Sequence, residues 1–147
     1  MELVVVIVIV GIVALIAAPR FFSQPTFDAA RFHEAAISAI CYGQKVAVAQ
    51  RASIYVSTAG NTVALCYNTG CATPVPSPAG DAAYVVIAPT GISITPVNFS
   101  FNSLGQPGDT AGPPVPLAAN TTLTISGDGT TRQIVVERET GYVHKQP

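Results

Sequence analysis

Six residues of this sequence invite chemistry by their type or surroundings: Cys41, Cys66, Cys71, His33, His144 and Glu2. Cys66 and Cys71 enclose the turn-forming stretch Tyr67-Asn68-Thr69-Gly70. That spacing suits a small-loop disulfide in an exported protein. A C-x₄-C metal pair is the competing reading, but no further ligand stands near it. Cys41 falls near an apolar stripe and reads as a buried free thiol, with an intermolecular disulfide as the alternative. Neither histidine has a cysteine or carboxylate cluster at metal spacing, and His33 beside Glu34 reads as part of a polar helix face. Asp128 in Gly127-Asp128-Gly129-Thr130 has the look of a calcium loop without its remaining ligands, so a turn aspartate is expected. No nucleophile elbow, zinc-protease helix, phosphate loop or haem-attachment motif occurs. No catalytic, cofactor-binding or metal-binding residue is assigned, and the expected function is not enzymatic.

Glu2 stands at the head of Leu3–Ala18, sixteen residues without charge, hydroxyl or amide. As a helix the run covers roughly 24 Å. A free-standing membrane span needs about 20 apolar residues and a signal-peptide core about 7–15, so the run falls between them. No basic residue precedes it, and Pro19 spoils Ala17-Ala18 as a cleavage site. A cleaved signal, an ordinary membrane anchor and a buried core helix therefore stay open as alternatives. Glu2 itself suits the positive end of a helix dipole in water. In a dry environment it needs a cationic partner.

Pro19 and Pro25 form a joint that bends or breaks the helix. From Asp28 to Ser57 a helical pattern resumes. Ala29, Phe32, Ala36, Ala39, Ile40, Gly43, Val46, Ala47 and Ile54 recur at spacings of three and four, with Arg31, Glu34, Gln44, Lys45 and Arg51 largely opposite. From Ser53 the period changes to two. Strands are expected at Ser53–Ser57, Thr62–Tyr67, Ala83–Ala88, Ile92–Thr95, Val97–Phe101, Thr121–Ser126, Arg132–Glu137 and Tyr142–His144. Val75–Gly80 and Leu104–Pro116 are expected to be loops. Gly127–Thr130 is the clearest hairpin signal. The predicted architecture is α+β: a long N-terminal helix, apolar then amphipathic, packed on an antiparallel C-terminal sheet of five to seven strands. The division is 1–25 (apolar helix and proline joint), 26–57 (amphipathic helix) and 58–147 (β-rich head).

Composition removes several functions. The 147 residues are 49% apolar and 10% charged, with net charge −1. No basic surplus exists to hold a nucleic-acid backbone, and one apolar segment is too few for a channel. Between Ala52 and Thr131 the only charged residues are Asp81, Asp109 and Asp128. A surface so poor in charge fits an exported protein covered by neighbours in a polymer.

Glu2-Leu3-Val4-Val5-Val6-Ile7-Val8-Ile9-Val10-Gly11-Ile12-Val13-Ala14, followed by Ala17-Ala18-Pro19-Arg20-Phe21, resembles the N-terminal segment of type IV pilins and type II secretion pseudopilins. Phe32–Val56, with Gln44-Lys45 and Ala49-Gln50-Arg51, is similar to the H-type pseudopilin and minor-pilin branch, which includes subunits of mannose-sensitive haemagglutinin pili. So is the ending, with Phe101 to Gly105, a hairpin and then Glu139-Thr140-Gly141-Tyr142-Val143. The resemblance implies a structural subunit, held in the bacterial inner membrane before assembly and polymerised through its N-terminal helix into an extracellular filament afterwards. It implies partners: copies of the chain and related pilins, a prepilin peptidase that removes a short leader, and pilus assembly machinery, and it implies a methylated N-terminus. In that family a leader and several residues precede the glutamate. Only Met1 precedes it here, so further N-terminal residues are expected. Glu2 then pairs with the terminal amine of a neighbour, Gly11 permits close helix approach, and Pro19 marks the bend. The alternatives are a pseudopilin or minor pilin of a short periplasmic filament and, from another class, a membrane-anchored periplasmic binding module.

Overall fold

The computed structural model describes residues 2–17, 24–127 and 129–146. Helix α1 runs Glu2–Ala17 and helix α2 Gln24–Gln50. Pro25 lies in the first turn of α2, where its missing N–H costs nothing. The helix ends in a Schellman arrangement. Arg51 turns left-handed at φ 51°, its N–H donates to Val48 O at 3.4 Å, and the Ala52 N–H donates to Ala47 O at 3.2 Å. The helix thus stops at Gln50, short of the expected Ser57. Period two wins over period three to four here, because Ile54 faces the core equally well from a strand.

Among the described residues nine strands follow: β1 Ile54–Ser57, β2 Thr62–Cys66, β3 Val85–Ile87, β4 Ile92–Ile94, β5 Asn98–Phe101, β6 Pro107–Gly108, β7 Thr121–Gly127, β8 Thr130–Val136 and β9 Val143–Gln146. They form two antiparallel sheets where a single one was expected. One has the order β3-β2-β1-β5-β6, the other β4-β7-β8-β9. The chain leaves the first sheet after β3 to place β4 in the second, and returns at β5. Thr58 secures that return. Its buried hydroxyl accepts the Val97 N–H at 2.6 Å and lies 2.8 Å from Val97 O and 3.0 Å from Thr95 O. The hairpin at Gly127–Thr130 is present, with Gly127 opposite Thr130. Asp128 lies outside the described residues. Strand β6 falls in the expected Pro/Gly loop. It pairs Ser100 with Gly108 and Phe101 with Pro107 at the sheet edge, where a proline's missing donor is tolerated.

Helix α2 packs on both sheets through the stripe read from the sequence. Ala29, Phe32, Ala36, Ala39, Ile40 and Ala47 join Ile54, Val56, Leu65, Phe99, Phe101, Leu123, Ile125 and Ile134 in one core. Gly43 sets the helix-to-sheet distance, because a Cβ there would stand 2.9 Å from a Leu65 methyl.

Candidate assembly surface

Helix α1 has no polar face. Leu3 to Val10, Ile12 and Val13 are each 55% to 72% exposed, whereas apolar side chains of the α2 stripe are buried. Gly11 sits in the middle of α1 with open space where a Cβ would be. Glu2 is the first residue of α1; its side chain lies outside the described residues, as do Pro19, Arg20, Phe21 and Phe22 of the joint. Among the described residues no helix is long and apolar enough to cross a membrane, and α1 has 16 residues. The apolar side chains from Leu3 to Val13 thus have no cover among the described residues.

The head is held to α2 by polar contacts at both ends of the helix. Near its C-terminal end, the Gln44 amide donates to Gly105 O and Thr140 O, both at 2.9 Å. Gly141, at φ 68°, follows Thr140, and a Cβ there would overlap the Gly105 carbonyl oxygen. One side-chain amide therefore joins the β5–β6 turn to the β8–β9 turn. Near the N-terminal end, Glu34 forms an ion pair with Lys145 of β9. The Lys145 hydrogen bond, helped by its charge and by His33, holds the Glu34 carboxyl below its ordinary value.

His33 departs from its expected polar face: it is buried, and its Nε2 donates to Gln133 O at 3.3 Å. It stands four residues after Ala29 and three before Ala36, so the stripe spacing itself held the signal. Cys41, expected to be buried, is free but only half-buried, because it lies at the margin of the stripe. Burial still pushes its thiol up from the ordinary value. Cys66 and Cys71 are bonded, with Cα atoms 5.0 Å apart. Asn68 organises the loop between them, its side-chain oxygen accepting the Ala72 and Thr73 N–H groups at 2.9 and 3.3 Å.

At the rim of the second sheet His144 Nε2 stands 3.0 Å from Glu137 Oε1, and its ring stacks on Tyr142 with centroids 5.5 Å apart. Glu137 also accepts the Asn120 amide at 2.6 Å. The bond to His144 lowers the Glu137 pKa, and the bond to Glu137 raises that of His144. Among the described residues no group of three His, Cys, Asp or Glu is placed to hold a metal ion.

No protein-family model matches the chain, and no curated protein matches it. Its backbone is similar to the type IV minor pilin FimU of Pseudomonas aeruginosa in two crystal forms. The first match has a TM-score of 0.52 at 15% identity, covering 84% of this chain and 89% of that one. The second has a TM-score of 0.50 at 15% identity, covering 83% and 92%. With a long N-terminal helical region packed on antiparallel sheets, the chain has a type IV pilin-like fold.

Proposed function

We propose that this chain is a structural subunit that polymerises through α1 into a type IV pilus-like filament at the bacterial surface. One observation carries the reading: α1 is as apolar as a core yet keeps the side chains from Leu3 to Val13 exposed, while the apolar stripe of α2 is covered by its own head. Such a helix is stable in lipid and in a bundle of copies of itself, and a heterologous contact that does not close yields an open helical polymer. The inner membrane holds the subunit first, after prepilin peptidase processing. The pilus machinery then transfers it to a core of like helices, beside related pilins. There Glu2 pairs with a neighbour's terminal amine, which fixes axial register, because an unpaired carboxylate in a dry core is costly. Gly11 lets helices approach, and Pro19 allows the bend between core and head.

A second reading, minor pilin or pseudopilin of a short periplasmic filament, is favoured by the similarity of the fold to that of a type IV minor pilin. Electron microscopy and mass spectrometry of sheared surface fibres separate the two. The chain as the bulk component supports the major subunit; traces within fibres of another pilin support the minor one. Absence from fibres of a cell that makes the chain removes the surface-filament reading. The Glu2→Ala subunit should fold and fail to assemble; normal fibres from it would remove the register role.

A further inference from the structure

Each sheet ends in strands with a neighbour on one side only: β3 and β6 in the first, β4 and β9 in the second. Such an edge offers free N–H and C=O groups to any extended chain, and native proteins blunt it with charge or cover. Three of these edges are blunted. The chain beyond β6 folds back on it, through a bridge of Gly108 with Pro116 and a bond from the Asp109 N–H to Val115 O at 2.9 Å. On β4 the Ile92 N–H donates to Pro89 O at 3.1 Å and the Ile94 N–H to the Asn61 side-chain oxygen at 3.4 Å. Strand β9 carries Lys145, paired with Glu34. Strand β3 has none of these devices. No charged residue occurs between Asp81 and Asp109, and the side chains of Val85 and Ile87 are 44% and 72% exposed.

The ladder shows which groups of β3 are free. Val86 stands opposite Val63 of β2. Two positions to either side, the Ala88 N–H donates to Asn61 O at 2.9 Å and the Leu65 N–H to Tyr84 O at 3.3 Å. Hydrogen-bonded pairs alternate along an antiparallel ladder. Val86 therefore turns its N–H and C=O to β2, and Val85 and Ile87 turn theirs outward, where none has a partner among the described residues. The Val86 side chain packs against the core, so those of Val85 and Ile87 share the opposite face. These two residues select their partner. A second β3, run antiparallel, sets Val85 opposite Ile87 and Ile87 opposite Val85, and each pair exchanges both of its N–H···O bonds. Apolar β-branched side chains then lie side by side across the strands, and no charge leaves water. A shift of one residue would face these groups with Val86, whose own are already used. The edge of β9 fits less well. The Glu137 N–H donates to Tyr142 O, so by the same alternation its outward residues are Val143 and Lys145, and a cation would lie beside Val85 or Ile87.

We infer that β3 is a docking edge for β3 of a second copy of this chain, joining two five-stranded sheets into one. The contact closes on two copies, so it stands whether or not α1 polymerises. In the test, the full chain carrying Cys41→Ser is co-expressed in two tagged forms, one with Val85→Cys and one with Ile87→Cys, and the cells are treated with a thiol oxidant. Opposed positions in this register have Cα atoms about 5.5 Å apart, within disulfide reach. Like positions, 85 with 85 or 87 with 87, stand about 9 Å apart, beyond it. The mixed dimer should exceed the dimer of either variant expressed alone by about tenfold. Equal yields, no mixed dimer, or cysteines linked instead to a different protein overturn the inference. The native chain gives a second readout without substitution. In detergent, amide exchange at Val85 and Ile87 should slow as protein concentration rises, while Val86, already bonded within the chain, stays constant. Exchange at Val85 and Ile87 that ignores concentration overturns the inference as well.

Discussion

Helices α1 and α2 are built from similar apolar residues and live in opposite circumstances. In α2 most large apolar residues keep to one stripe, which both sheets cover, and Phe27 and Val48 stand outside it. In α1 the apolar residues run all round, and from Leu3 to Val13 they stay more than half exposed. A stripe can be satisfied by one partner on one side. An all-round apolar helix needs partners on every side, which the described residues of this chain do not provide for Leu3 to Val13. The contrast separates what this chain folds from what it leaves for other molecules.

That contrast can be broken at its strongest point first. Ile40→Ala, in the covered helix, should cost about 2–5 kcal/mol and lower the melting temperature of the head by many degrees. Val8→Ala in α1 should leave that melt where it was. Equal losses from the two would mean that α1 packs within its own chain. Next in size, Cys66→Ser should cost about 2 kcal/mol, the entropy of closing so short a loop, measurable by thermal unfolding with and without reductant; α1 again plays no part. Gln44→Ala strands two carbonyls that hold the turns to α2 and should cost about 1–2 kcal/mol, read by denaturant unfolding. It should speed amide exchange in both the Gly105 and Gly141 turns, and exchange confined to one turn would show that they are not coupled.

The smallest effect concerns pH. The folded Glu137 pKa is depressed, so its contribution is present above the ordinary carboxylate value and fades as pH falls through the folded one. The folded His144 pKa is raised, so its contribution is complete below the ordinary imidazole value and fades as pH rises through the folded one. The pair therefore helps most between the two ordinary values, about pH 4.3 and 6.5. His144→Gln should flatten a shallow maximum there in a melting-temperature profile. An unchanged profile would show that the exposed pair contributes nothing and that packing alone holds the rim.

Much of the head was legible because one residue property repeats. The α2 stripe could be read from spacing, and so could the Gly127–Thr130 hairpin, where glycines permit the turn and alternating residues flank it. The division into two sheets was not legible. Alternation tells which side of a strand faces the core, but not that β4 would pair with β7 while its neighbours in sequence pair elsewhere. Pro107-Gly108 reads as loop, since neither residue favours a strand, and becomes β6 only because Phe101 and Ser100 offer it an edge. His33 was read by its polarity, and its position on the stripe decided otherwise. At the candidate surface, the apolar character of α1 was plain from the sequence. The free edge of β3 was invisible there, because alternation does not tell which strand ends a sheet.

The Gln44 amide has a mechanical meaning. Sliding α2 along its axis relative to the sheets loads both of its hydrogen bonds together. The two turns it grips belong to different sheets, so tension entering through the helix divides between them at one residue. A chain pulled from its N-terminal end loads the His33 and Glu34 contacts first, and Gln44 is the last polar grip along the helix, sharing what shear remains between two sheets.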